Sequence, residues 1–342
     1  MHIKMIRRPF RVVLVALLLV ALSKCTAEAE EKLTVVVTMD PLVGDLLELV
    51  DDRARVVSVA SGAPDPHEYA LKPSDVELLR RADVIITTLH APFELRIQEL
   101  VERGELRPRA YVVVHEVPGI KLLRNPATSQ LNLHGVLYLP ENLKSFVTFV
   151  ASLLSELDPE GRDLYLEKAR DMLIRIEELE TRAAEAPRLR GVISSPLVQY
   201  AAVFLNVEPS LVLTIEPDVP PSPDIAEEAL EALRTKRVDV VVVCGRIFGG
   251  TVEYCDQADE ILARSALKWG VPPIVVPPPM TGPGFLEHLE LALESYESAR
   301  DLLGLTGGER REREIFLASA VAAAIAISMA LIYSEGRELE PD

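Results

Sequence analysis

The 342-residue chain predicts an α/β protein: two doubly wound parallel-sheet lobes joined by one long spine helix, with a C-terminal apolar helix beyond them. Three observations carry that prediction. Two sets of four short, β-branched runs alternate with helical patterns, the order that parallel sheets impose. Between the sets, Gly161 to Ala186 contains no internal Gly or Pro and reads as a single helix. Apolar residues make up 49% and charged residues 26%, enough for two packed cores and wrong for a collagen, a disordered tail or a disulfide-stapled miniature.

Taken in order, residues 1–29 read as a secretory signal peptide. Arg7, Arg8 and Arg11 precede an uncharged apolar run from Val12 to Leu22. As a helix that run spans about 16 Å, short of a bilayer core. A cut after Ala27 or Ala29 fits. Cys25 is a candidate for lipidation, although Lys24 stands where a small residue usually precedes a lipidated cysteine. An exported chain is not a cytosolic kinase or dehydrogenase, and no Gly-rich phosphate loop of the required spacing is present. The signal holds five basic side chains against Glu28 alone, so removing it takes the formal charge from −17 to −21. A phosphate backbone would repel so acidic a protein, which excludes nucleic acid as a partner.

The N-terminal lobe, 33–157, has expected strands at Leu33–Met39, Arg55–Ala60, Asp83–Thr88 and Tyr111–His115. A helix is expected at Ser74–Arg81, with Ser74 and Glu77 forming a capping box behind Pro73. The linking helix lies within 158–188, where Leu164, Ala169, Met172, Leu173, Ile176 and Leu179 recur at helical spacing; it would reach about 39 Å. The C-terminal lobe, 189–305, has expected strands at Gly191–Ser194, Leu211–Ile215, Val238–Cys244 and Pro273–Val276. In the extension, 306–342, the uncharged stretch Ile315–Tyr333 is a candidate transmembrane helix of about 28 Å. Its many alanines and the flanking Arg310, Arg311 and Arg313 leave an extra helix packed on the second lobe as the alternative.

Ligands of open α/β sheets bind beyond the carboxyl ends of the strands, and four histidines fall there. His67 follows the second strand, His90 the third, and His115 ends the fourth; His134 sits in a polar loop before the helix starting near Glu141. Only His288 of the mature histidines is expected on a helix away from the cleft. Imidazole is the commonest side-chain metal ligand, and zinc accepts three or four such groups. A single loop histidine is more often a surface or hydrogen-bonded residue; four on one edge favour a metal site. Export permits disulfides, and the mature chain keeps two cysteines, Cys244 and Cys255, which either form a bridge or remain buried thiols.

The segment Gly62-Ala63-Pro64-Asp65-Pro66-His67-Glu68-Tyr69, followed by Pro73-Ser74-Asp75 and Ala82-Asp83-Val84-Ile85-Ile86, resembles the first ligand region of the substrate-binding proteins of zinc and manganese ABC importers. A second match is His134 with Pro140-Glu141-Asn142, then Leu157-Asp158-Pro159-Glu160-Gly161 entering the spine. The resemblance runs from Leu33 to about Leu303. It implies two lobes clamped on a zinc or manganese ion, with His67 and His134 as first-lobe ligands, an ABC permease as partner, and no catalysis. A monomer is expected.

The chain departs from that pattern in the second lobe. Where the family has a His or Glu five residues before a Tyr, here Tyr200, this sequence has Ser195. The family's last carboxylate should fall near Pro277-Pro278-Pro279, which has none. Expected replacements are His90 and His115 from the first lobe, and Glu216 or an unbridged Cys244 from the second; Glu216 also reads as a water-facing loop carboxylate. Two other functions fit: a metal-free descendant that binds a partner or regulates it, and a secreted zinc hydrolase. The hydrolase reading lacks any His-Glu-x-x-His helix or Gly-x-Ser-x-Gly elbow.

Overall fold

The computed structural model describes residues 32–63, 66–217 and 219–304. The expected signal peptide, Cys25 and the apolar stretch 315–333 lie outside the described residues. Among the described residues no helix is long and apolar enough to cross a membrane.

The first sheet contains β1 (Leu33–Val37), β2 (Ala54–Ser58), β3 (Val84–Thr87) and β4 (Ala110–Val113), ordered β2-β1-β3-β4 and parallel throughout. Val35, Val36 and Val37 are all buried, as are Val84, Ile85 and Ile86, because helices cover both faces. Those helices are α1 (Asp40–Val50), α2 (Pro73–Arg80), α3 (Pro92–Glu102) and α4 (Pro140–Leu157). Each carries proline in its first turn, where a missing N–H costs nothing. The cap of α2 differs from the expected Ser74–Glu77 box. Asp75 accepts the backbone N–H of Lys72 at 2.7 Å, while Glu77 pairs with Arg81 at 2.7 Å on the solvent side.

The spine begins one residue into the expected Gly161–Ala186 stretch, as α5 (Arg162–Ala184) after a short 3-10 turn at Pro159–Gly161. Tyr165, Ala169, Met172, Ile176, Leu179 and Ala183 form its buried stripe; Leu164 and Leu173 sit at its margins. Asp158 fixes the entry. Its carboxylate receives Nε and Nη2 of Arg53 at 2.9 and 2.7 Å, the Tyr165 hydroxyl at 2.7 Å and the Gly161 N–H at 3.2 Å. Those donors, the Arg53 hydrogen bond foremost, hold the carboxyl at about 2. Its folded value lies below its unfolded one. Its stabilising effect is therefore present above about pH 4 and lost as pH falls towards 2. Asp158→Ala is expected to cost about 2–3 kcal/mol at pH 7. Urea melts of variant and wild type should converge on acidification; a constant gap would refute the assignment.

The second sheet contains β5 (Leu189–Ile193), β6 (Val207–Val212), β7 (Val240–Phe248) and β9 (Pro273–Val276), with parallel pairing in the order β6-β5-β7-β9. Around it lie α6 (Gln199–Phe204), α7 (Pro223–Arg234), α8 (Gln257–Lys268) and α9 (Phe285–Leu302). Two differences from expectation have local causes. β6 starts four residues early, tolerating Pro209 because it is an edge strand whose register shifts opposite Gly191. β7 runs past Cys244 and turns back through Gly249 and Gly250, both at positive φ, into β8 (Thr251–Tyr254), an unexpected antiparallel hairpin.

Two contacts bind the lobes to each other along the spine. Arg175 of α5 reaches Glu48 of α1 at 2.6 Å and Glu290 of α9 at 2.7 Å. The buried Asp45 of α1 accepts the N–H groups of Phe285 and Leu286, at 2.8 and 3.0 Å, at the start of α9.

Candidate metal centre

Loops from the carboxyl ends of both sheets line one cavity. His67, His90, His115 and His134 enter it from the first lobe, and Leu197, Pro279, Met280 and Phe285 from the second. Three of the four histidines converge: His67, His90 and His134 each offer a ring nitrogen within 4.8 Å of the others. His90 Nε2 lies 2.8 Å from His134 Nε2, so one donates a proton where a cation would otherwise sit. The His67 ring stands edge-on to His90 with centroids 4.9 Å apart.

The electrostatics favour neutral rings. Burial, then repulsion from His90 and His67, pushes His134 down to about 3. Burial likewise lowers His90, with His67 and His115 adding to it and Glu94 opposing. Both therefore present lone pairs at neutral pH, and a metal need not displace a proton from an imidazolium.

The tautomer of His134 is set by Asn132, whose Oδ1 lies 3.1 Å from Nδ1. That leaves Nε2 to face the cavity. Asn132 is itself held by the other lobe, donating to the Pro196 carbonyl at 2.8 Å and to Gln199 Oε1 at 2.9 Å. Asn125 donates to the Ile215 carbonyl at 2.9 Å. The Tyr200 hydroxyl donates to the Asn132 carbonyl at 2.7 Å. The second lobe thus orients a first-lobe histidine without supplying an imidazole.

Other expected site residues fare differently. His115 lines the cavity, but its Nδ1 donates to the Thr88 carbonyl at 3.1 Å, and it stands outside the converging trio. Ser195 is fully buried and caps the turn Pro196–Val198 by accepting the Leu197 N–H at 3.3 Å. Cys244 offers no thiolate, being joined to Cys255 in a disulfide with Cα atoms 5.4 Å apart. Glu216 does reach the site: Oε2 lies 3.9 Å from His134 Nε2, with its side chain half exposed. Burial raises its carboxyl, and His67 works against that shift. His288 is not remote. It is completely buried one layer behind Phe285, with Nδ1 3.1 Å from the Tyr138 hydroxyl.

Residue-type reasoning missed Asn125, Asn132 and Glu94. A signal existed for the first two: the chain has only four asparagines, and Asn125, Asn132 and Asn142 are all buried. A composition that avoids asparagine keeps it where a buried amide must serve as donor and acceptor together.

The zinc-uptake complex component A, periplasmic, family matches residues 35–247. The manganese-binding lipoprotein MntA of Halalkalibacterium halodurans is 29% identical over 156 residues, covering 45% of this chain and 50% of that protein, so the match spans half its length. The metal ABC transporter substrate-binding lipoprotein ScbA of Streptococcus cristatus is 25% identical over 248 residues, covering 68% of this chain and 80% of that one. Among solved structures, FpvC of Pseudomonas aeruginosa in complex with Mn2+ superposes with a TM-score of 0.60 at 19% identity. It covers 78% of this chain and 99% of its own. The Mn-bound periplasmic metal binding protein from Candidatus Liberibacter asiaticus gives a TM-score of 0.59 at 17% identity, covering 80% of this chain and 100% of its own. These two likenesses show the shared two-lobed fold.

Proposed function

From the premise that this chain belongs to the periplasmic zinc-uptake component A family, we propose that it is an extracytoplasmic receptor for a divalent transition metal, which it hands to an ABC permease. Convergence of three imidazole nitrogens within 4.8 Å carries the reading. His67, His90 and His134 bind the ion, and Glu216 approaches from the second lobe as the fourth donor. Three nitrogens and one carboxylate oxygen suit tetrahedral zinc; manganese prefers more oxygen. The relatives include manganese-binding lipoproteins, so both ions belong in the test.

We read Glu216, the carboxylate that reaches His134, as a ligand and not a general base, and the protein as a carrier without catalysis. Titration calorimetry with zinc chloride and manganese chloride on metal-stripped protein tests the proposal. Zinc is expected to bind one to one, more tightly than manganese. Binding of neither ion at micromolar concentration would replace this reading with the metal-free one, and hydrolytic turnover in the zinc form would replace it with the hydrolase.

A further inference from the structure

Behind the histidines, and resting on the metal reading above, stands a buried carboxylate with an unusual number of donors. Glu94, in the first turn of α3, is completely buried. Its oxygens receive the hydroxyls of Thr38 at 2.5 Å and Thr87 at 2.9 Å, and the Thr88 N–H and hydroxyl, each at 2.9 Å. They also receive the backbone N–H of His90 at 2.7 Å and of Ala91 at 2.9 Å. Donors from the residue after β1, from the end of β3 and from the loop between β3 and α3 thus meet on one side chain. We propose that Glu94 is the positioning residue of the metal site: it holds the 88–91 loop so that His90 meets His134.

Two features make this more than a helix cap. The loop is strained, because Leu89, a branched residue, stands at φ 51° in the left-handed region. Such a conformation persists only where surrounding bonds over-determine it, and Glu94 accepts from the residues on both sides of Leu89. All six of those partners are donors, three hydroxyls and three backbone N–H groups, so the carboxyl acts as an acceptor throughout.

The test is a double-mutant cycle read by zinc titration on wild type, Glu94→Gln, His90→Ala and the double variant. Glu94→Gln keeps the shape but turns two donors against the threonine and backbone protons. It is expected to weaken zinc binding roughly 10- to 100-fold, the usual effect of removing an outer partner of a ligand. In the His90→Ala background the same change should cost under about threefold, since Glu94 then has no ligand to position. A merely structural role would lower the melting temperature and leave the two affinity losses additive, which would overturn the proposal.

Glu94→Asp, which keeps the charge but shortens the reach, should fall between Gln and wild type. Equal affinity for all three residues at position 94 would also overturn it. Thr38→Val keeps the question answerable if Glu94→Gln does not fold: it removes one donor far from His90 and should weaken zinc only slightly while lowering stability. A large loss of affinity there would count against positioning through the loop. Failure of wild type to bind zinc would instead sink the three-histidine site itself, a result distinguishable from all of these.

Discussion

His90→Ala is expected to weaken zinc binding by roughly two to three powers of ten. Structural zinc sites release about 10–16 kcal/mol over four ligands, so one ligand is worth about 2.5–4 kcal/mol. His67→Ala and His134→Ala should match it, since the three rings contribute equivalent nitrogens. The pattern across the other residues makes the series informative. His115→Ala should change affinity less than about threefold, its Nδ1 being committed to the Thr88 carbonyl. Ser195→Ala should leave affinity unchanged and cost about 1 kcal/mol of stability through its lost cap. Glu216→Gln should cost about tenfold, as expected for an exposed oxygen ligand reaching across a cleft. Titration calorimetry with zinc chloride on metal-stripped variants reads all of these. Unaltered affinity in His90→Ala would remove His90 from the site and return the search to His115.

What the sequence made legible, and what it hid, divides along the range of the interaction. Period-two and period-3.6 patterns are local, so the runs around Val35, Ile85 and Val242 announced buried parallel strands, and the edge on which histidines must lie followed from topology. Strand ends failed where a tertiary feature intervened. β6 was expected from Leu211 but starts at Val207, running through Pro209 because it is an edge strand. Within the site, the histidines were visible as residue types, but which three converge depends on loop paths that no spacing encodes. His90 and His115 were equal candidates until Glu94 and Thr88 were placed. Ser195 read as a degraded ligand position, whereas its hydroxyl caps a turn in a fully buried setting. His288 read as remote because its helix is late in the chain. The helix in fact starts at the cavity wall, so sequence distance misled.

Gly44→Ala is expected to destabilise the whole protein by about 3 kcal/mol, the upper end for overpacking a tight contact. A Cβ at Gly44 would lie 2.4 Å from the Gly284 nitrogen, and one at Gly284 would lie 2.5 Å from Asp45 Oδ1. Both obstacles are at the backbone crossing of α1 and α9, so no rotamer change relieves the Gly44 clash; the lobes themselves must separate. Separation would break the Asp45 bonds to Phe285 and Leu286, leaving two N–H groups at the start of α9 without partners. A melting temperature lowered by roughly 6–12 °C is the corresponding signal. An unchanged melt would mean that the two backbones do not touch. Zinc affinity should move by less than about tenfold, because the trio lies in one lobe and Asn132, in that same lobe, holds His134.

Asp45→Asn probes the same clasp by pH. Burial, opposed by the two backbone donors, raises the Asp45 carboxyl to about 7. The folded state then holds its proton more tightly than the unfolded chain. The contribution is complete below about pH 4 and is lost as pH rises through 7. The asparagine cannot ionise, so the stability of wild type relative to Asp45→Asn should be greater at pH 4.5 than at 7.5 in urea melts. A difference that grows with pH would show the carboxylate, and not the acid, to be the form that joins the lobes.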